Sequence, residues 1–274
     1  MSRLKKALEK AKTARESDIQ TSPPVSVTEA EKGSLMYDDE LQVTYTKTKV
    51  VKVEPLVLKK NKVICLFPED KMTDQLKILR TRILNRLEEI GGNCLLVTSA
   101  NPYEGKTFTS INLAISIAQE LSRSVLLVDA DLRPQTPNHQ DFGSDFLGFH
   151  SNSGLSDYLL QKAEIPDLLL NPKIKKLTIL PGGDSLPNSA ELLGSSRMKT
   201  LVTEMKKRYS NDRIIILDSP ALLTCPDPLV LSRYADGILL VVESEKTPAK
   251  DLKRTMELLN GKPVLGTLMN KAVF

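Results

Sequence analysis

The stretch SANPYEGKT, residues 99–107, carries the residue types best suited to chemistry in this chain. Gly105, Lys106 and Thr107 reproduce the Gly-Lys-Thr end of a phosphate-binding loop, while Ala100 fills the slot where the usual pattern has its first glycine. Such a loop turns backbone amides toward phosphate oxygens at a helix N-terminus, where the helix dipole also favours negative charge. The amides of Glu104, Gly105, Lys106 and Thr107 are the candidate phosphate donors, with Phe108 in the same first turn. Lys106 would reach the β- and γ-oxygens, and the Thr107 hydroxyl would ligate Mg²⁺.

Carboxylates follow at two further sites. The run SVLLVDAD ends in Asp129 and Asp131, which share one face because strand side chains alternate with a period of two. Two carboxylates at one strand end repel unless a cation or proton separates them. RIIILDSP then delivers Asp218 in the apolar-run-plus-Asp pattern that holds Mg²⁺ directly or through water. Taken singly, each has a plain alternative: a chance strand-turn-helix connection for the loop, solvated strand caps for the aspartates. Together they point to one magnesium-nucleotide site.

The elements that must position these residues are legible as pattern. Met72 to Ile90 reads as a helix, with Leu76, Leu79, Ile83 and Leu87 at spacings of three and four and a stop at Gly91-Gly92. After it, the apolar runs CLLVTS, SVLLVDAD, LTILP, RIIILDSP, GILLVVES and VLGTLMN alternate with helical patterns over Thr107–Leu121, Arg197–Tyr209 and Asp251–Leu259. Continuous apolar strands separated by helices predict an α/β fold of the P-loop NTPase type, a mostly parallel central sheet flanked by helices. Ligands of such sheets sit at the carboxyl ends of the strands. The expected division is a 1–62 tail and a 63–274 ATPase-like domain. Within the tail, residues 3–15 suit a short amphipathic helix and VTYTKTKVVKV, residues 43–53, an extended segment.

Composition narrows the function. Residues 1–62 hold 13 Lys+Arg against 9 Asp+Glu, whereas residues 63–274 hold 25 of each, so the tail carries the whole net charge of +4. The neutral folded part and an aromatic content of 4% argue against nucleic-acid binding. Cys65, Cys94 and Cys225 are widely spaced in apolar surroundings, and with only His139 and His150 a zinc site is not expected. No apolar run reaches the roughly 18–20 residues needed to cross a bilayer, and MSRLKKALEK lacks a secretory apolar core, so a cytoplasmic location is expected.

SANPYEGKTFTSINLA, VLLVDADLRP, LPGGDSLPNSAELLGSSRM, IIILDSPALL, ADGILLVVES and VLGTLMNKA resemble the bacterial tyrosine autokinases of exopolysaccharide loci. That family belongs to the same deviant P-loop class as the MinD and ParA ATPases, from which LPNSAELL followed by SSRM separates it most clearly. The opening MSRLKKALEKAKTARES and the YTKTKVV segment resemble the subgroup beside exosortase genes. The resemblance implies transfer of phosphate from Mg-ATP to tyrosine, mainly between subunits of a homo-oligomer. It also implies a membrane-embedded partner for polysaccharide chain length or export, which would recruit the protein to the inner membrane face. By motif, Lys106 and Thr107 hold phosphates and Mg²⁺, Asp129 helps deprotonate the tyrosine, and Asp131 and Asp218 organise the metal. Asn270 resembles the residue that reads the adenine amino group; a strand-end cap is the structural alternative.

Three departures stand out. Tyr103 occupies a position that is commonly glycine in the family, where a positive φ would strain any other residue. Asp74, Lys77 and Arg80 occupy the Glu-x-x-Arg-x-x-Arg pattern of the oligomerisation helix, which could equally be a solvated face. The family's tyrosine-rich tail is missing after Tyr234, which leaves Tyr37 and then Tyr45 as the expected acceptors. Competing functions are a MinD- or ParA-like ATPase switch and a nucleotide-binding scaffold without kinase activity.

Overall fold

The computed structural model describes residues 48–272 except 68, 134–141 and 209–211. The expected N-terminal helix, residues 43–47 of the 43–53 segment, Tyr37, Tyr45, His139 and Tyr209 lie outside the described residues.

Apolar runs without alternation become strands buried on both faces. The strands are β1 (Lys49–Val50), β2 (Cys94–Ser99), β3 (Ser124–Asp129), β4 (Leu170–Asn171), β5 (Leu177–Leu180), β6 (Arg213–Asp218), β7 (Gly237–Glu243) and β8 (Val264–Asn270). They form one sheet in the order β1-β4-β5-β3-β6-β2-β7-β8, parallel throughout except for the β4–β5 pair. In β2, Leu95 and Val97 join the hydrophobic core on one face of the sheet while Cys94 and Leu96 join the core on the other. The same split holds in β3 for Val125 and Leu127 against Leu126 and Val128, and in β6 for Ile214 and Ile216 against Ile215 and Leu217. Each such side chain contributes about 1.5–3 kcal/mol by leaving water, so the three central strands form a firmly held platform.

The helices among the described residues are α1 (Pro55–Lys60), α2 (Lys71–Glu89), α3 (Lys106–Ala118), α4 (Leu155–Leu159), α5 (Ile165–Leu168), α6 (Ser189–Leu193), α7 (Ser196–Arg208), α8 (Asp227–Leu231) and α9 (Ala249–Leu258). α2 starts where the Asp70 side chain accepts from the Met72 amide, a side-chain cap for an orphan donor. α3 is buried along nearly its whole length from Thr109 onward. Its buried Asn112 is fully paired: Nδ2 donates to the carbonyls of Lys62 and Phe108, and Oδ1 accepts from the Cys65 amide. Residues 48–61 thus pack into the same body, with Leu58 in the core and Lys49 and Val50 in register with Leu170 and Asn171 of β4.

The face of α2 that carries Asp74, Lys77 and Arg80 divides. Asp74 and Lys77 form an exposed pair at 2.9 Å, but Arg80 turns inward, donating from Nη1 to the Ser116 carbonyl at 2.8 Å and pairing with Glu120. Arg80 therefore fastens α2 to α3. No described helix is long and apolar enough to cross a membrane.

Candidate active site

The strand order sets the site. β3, β6 and β2 lie side by side although they are distant in sequence, so the residues at their carboxyl ends become neighbours. Asp129 is in register with Asp218 across β3 and β6, and the loop after β2 leads directly into α3. Lys106 is the first residue of α3, and its Nζ lies 3.8 Å from Asp131 Oδ2. Asp131 follows β3 in a tight turn, its amide donating to Asp129 Oδ1 at 3.1 Å. Gly182 of the LPGGD segment lies against Asp129; a methyl group there would sit 3.0 Å from its Oδ2.

Asp218 is the buried member, 1% exposed. Burial pushes its carboxyl up to about 6, opposed by the Lys106 charge and by hydrogen bonds from Ser110 and Thr107, while Asp131 adds to the rise. Ser110 Oγ donates to Asp218 Oδ1 at 2.8 Å. A buried carboxylate beside a threonine hydroxyl and a second carboxylate fits a hard cation that completes its shell with phosphate oxygens and water. Among the described residues no closed cage of three acidic, histidine or cysteine ligands exists, and Mg²⁺ at a nucleotide does not require one.

The phosphate loop is held from outside by the ends of β7 and β8. Lys271 Nζ donates to the Tyr103 carbonyl at 2.6 Å and also pairs with Glu243; Asn270 Nδ2 donates to the Glu104 carbonyl at 2.9 Å. A peptide plane is rigid and trans, so fixing these two carbonyls fixes the amides of Glu104 and Gly105 in the opposite direction. The Glu104 side chain, buried at 2% exposure, accepts from Thr247 Oγ1 at 2.5 Å and from the Asn101 amide at 3.1 Å. Asn101 Nδ2 reaches Asp251 of α9 at 3.0 Å. Gly105 has φ of 94°, and a methyl group there would lie 2.0 Å from Asn270 Nδ2, so glycine is required on both counts. Tyr103 has φ of 66°, the left-handed region that costs a tyrosine about 1–3 kcal/mol.

The residues expected at the nucleotide, Glu104 to Phe108, Asp129, Asp131, Asp218 and Asn270, thus lie around one loop and three strand ends. Asn270 sits there as a brace for the loop through Nδ2. The Phe108 side chain packs against the core, which leaves only its backbone for a ligand. Sequence reasoning missed the Glu104 side chain, Lys271, and the pairing of Ser189 Oγ with the fully buried Asp227 at 2.6 Å, where Arg133 Nε also approaches to 3.5 Å. That last group joins the LPNSAELL motif to the chain just beyond Asp131; only the motif itself hinted at it. The cysteines are free, and burial pushes the thiols of Cys65 and Cys94 up to about 11 and 12, so neither is a thiolate near neutral pH.

A glycine-lysine-threonine loop opening a helix, with aspartates on the two adjacent parallel strands, defines a P-loop nucleotide-binding protein. The family described as AAA domain matches residues 104–261. The tyrosine-protein kinase YwqD of Bacillus subtilis (strain 168) is 33% identical over 215 residues, 78% of this chain and 86% of that protein. The kinase domain of the Escherichia coli tyrosine kinase Etk superposes with a TM-score of 0.68 at 26% identity, over 82% of this chain and 91% of that domain. The septum site-determining protein MinD of Pyrococcus horikoshii, solved with Mg-ADP, shares the fold at a TM-score of 0.52 and 22% identity, over 65% of this chain and 69% of that one. The chain belongs to the bacterial tyrosine kinase family of P-loop proteins.

Proposed function

We propose that this protein is an ATP-dependent tyrosine autokinase that transfers the γ-phosphoryl group of Mg-ATP to tyrosine and thereby regulates exopolysaccharide synthesis and export. The observation that carries the reading is the convergence of Lys106, Asp131, Thr107 and Asp218 within hydrogen-bonding or ion-pair reach of one another. The amides from Glu104 to Phe108 cradle the phosphates, and Lys106 leaves Asp131 to meet the β- and γ-oxygens. Thr107, Asp131 and Asp218 hold Mg²⁺, which when bound offsets the charge that builds on the phosphates during transfer. Asp129 orients the tyrosine hydroxyl and takes its proton. Asn270, whose Nδ2 donates to the Glu104 carbonyl at the rim, would accept from the adenine amino group through its Oδ1.

The remainder of the reading rests on the sequence resemblance. The protein works on the cytoplasmic face, recruited by a membrane-embedded chain-length or export protein, and phosphorylates a neighbouring copy in a homo-oligomer. Asp74 and Lys77 remain on the exposed part of α2 for that contact, while Arg80 is committed to α3. The first acceptors are Tyr37 and then Tyr45. The test is phosphosite mapping after incubation with Mg-ATP, wild type against Lys106→Met. A MinD-like switch, favoured by the shared fold, hydrolyses ATP and leaves no phosphotyrosine.

A further inference from the structure

Tyr103 sits in a strained conformation that nothing in its surroundings repays. Its φ is 66°, yet the residue is 48% exposed and its hydroxyl makes no hydrogen bond among the described residues. The only fixed point is the backbone, held by Lys271 at the carbonyl. A glycine would remove the strain and an exposed aromatic surface at once, so the structural argument for tyrosine here is absent. The other described tyrosines have structural work: Tyr158 is buried under the Arg197 guanidinium, 4.1 Å from its ring centroid, and the Tyr234 hydroxyl donates to the Leu193 carbonyl. Among the described residues, Tyr103 alone presents an exposed phenol, and it does so on the phosphate loop of a tyrosine kinase.

We propose that Tyr103 is itself a phosphate acceptor for a second copy of this chain, and that the phosphorylated loop binds ATP more weakly, so that the kinase limits itself. The inference rests on the kinase reading above. A loop whose amides hold the polyphosphate cannot also bring its own hydroxyl in line behind the γ-phosphorus, so the donor is another subunit. In the transfer, Tyr103 Oη forms a bond to the γ-phosphorus of ATP on the donor. The bond from that phosphorus to the β,γ-bridging oxygen breaks, ADP leaves, and the phenolic proton passes to Asp129 in the donor copy. The product places about −1.5 to −2 charges on the loop. That charge opposes the incoming polyphosphate and competes for Lys106 and Lys271. Repulsion of this kind at the mouth of a site lowers nucleotide affinity roughly tenfold.

The experiment uses the full chain incubated with Mg-ATP, with phosphotyrosines mapped by mass spectrometry and a glutamate-tyrosine copolymer as an independent substrate. ADP affinity is measured calorimetrically before incubation, after it, and after treatment with a tyrosine phosphatase. The expected result is phosphate on Tyr103, a copolymer rate that declines as it accumulates, weaker ADP binding, and recovery on dephosphorylation. Tyr103→Phe should hold its own starting rate, and Tyr103→Glu should bind ADP weakly from the outset. An unmodified Tyr103 in a chain that phosphorylates other tyrosines or the copolymer would overturn the proposal, as would a phosphorylated Tyr103 with unchanged ADP affinity. If neither the chain nor the copolymer gains phosphate, the kinase reading fails first and this inference falls with it.

Discussion

Ser110 donates a hydrogen bond of 2.8 Å to Asp218, a carboxylate that the sheet and α3 have otherwise removed from water. One hydroxyl, one threonine hydroxyl and the Lys106 charge do not offset that desolvation, and the carboxyl stands at about 6 against an ordinary value of 3.8. A raised carboxyl favours the folded state below pH 3.8, and the contribution is lost as pH rises through about 6. In metal- and nucleotide-free buffer this amounts to a loss on the order of 2–3 kcal/mol by neutral pH. Denaturant unfolding of wild type and Asp218→Asn from about pH 3.5 to about pH 7, a range that spans both values, should show a downward slope in the wild type that the variant lacks. Parallel curves would refute the assignment.

Gly105 and Gly91 both have positive φ, 94° and 64°, but only Gly105 has a neighbour where a side chain would go. Gly91→Ala should cost about 1–2 kcal/mol of stability and leave nucleotide binding intact. Gly105→Ala must also displace Asn270, and should weaken ATP binding on the order of tenfold or more. Calorimetry on both variants checks the contrast.

Lys271 grips the Tyr103 carbonyl while remaining substantially exposed, so its contribution is one hydrogen bond's worth. Lys271→Met should raise the KM for ATP roughly three- to tenfold with kcat little changed. Lys271→Arg, which keeps a donor in reach, should recover part of the loss. A kcat defect with normal KM would mean that Lys271 acts on the transfer step instead.

Asp129 and Asp218 are neighbours in the sheet with different surroundings, one half-buried at a strand end and the other fully enclosed. Asp129→Asn should bind Mg-ATP normally and stop transfer; Asp218→Asn should raise the Mg²⁺ concentration needed for activity, because an amide is a poorer ligand for a hard cation. Titrating Mg²⁺ against activity separates them, and identical defects would reject the division.

Sequence pattern was most informative where burial is two-sided. β2, β3, β6 and β7 are built on apolar runs because the sheet is covered on both faces, and β3 and β6 each close on an aspartate. α4, α5, α6 and α8 have four or five residues each, too short for a 3.6-residue period to show, and β1 and β4 have two. In the site, local spacing gave the loop, Lys106 and the three aspartates. It could not give the Glu104–Thr247 bond, whose partners are 143 residues apart, nor the turn of Arg80 onto Ser116, because a long side chain on a helix face reads as solvated until its neighbour is known. The adenine role of Asn270 comes from the family resemblance, and its hold on the Glu104 carbonyl is tertiary.

The central claim, that the loop and strand-end aspartates transfer phosphate to tyrosine, is tested most directly by phosphotyrosine formation on purified protein with Mg-ATP, wild type beside Lys106→Met. Lys106 is poised 3.8 Å from Asp131, and its charge is the one side-chain cation assigned to the γ-phosphate. The account predicts phosphotyrosine in the wild type, rising more steeply than linearly with protein concentration, and none in the variant. ATP hydrolysis without phosphotyrosine in the wild type, or equal phosphotyrosine in both proteins, would contradict it.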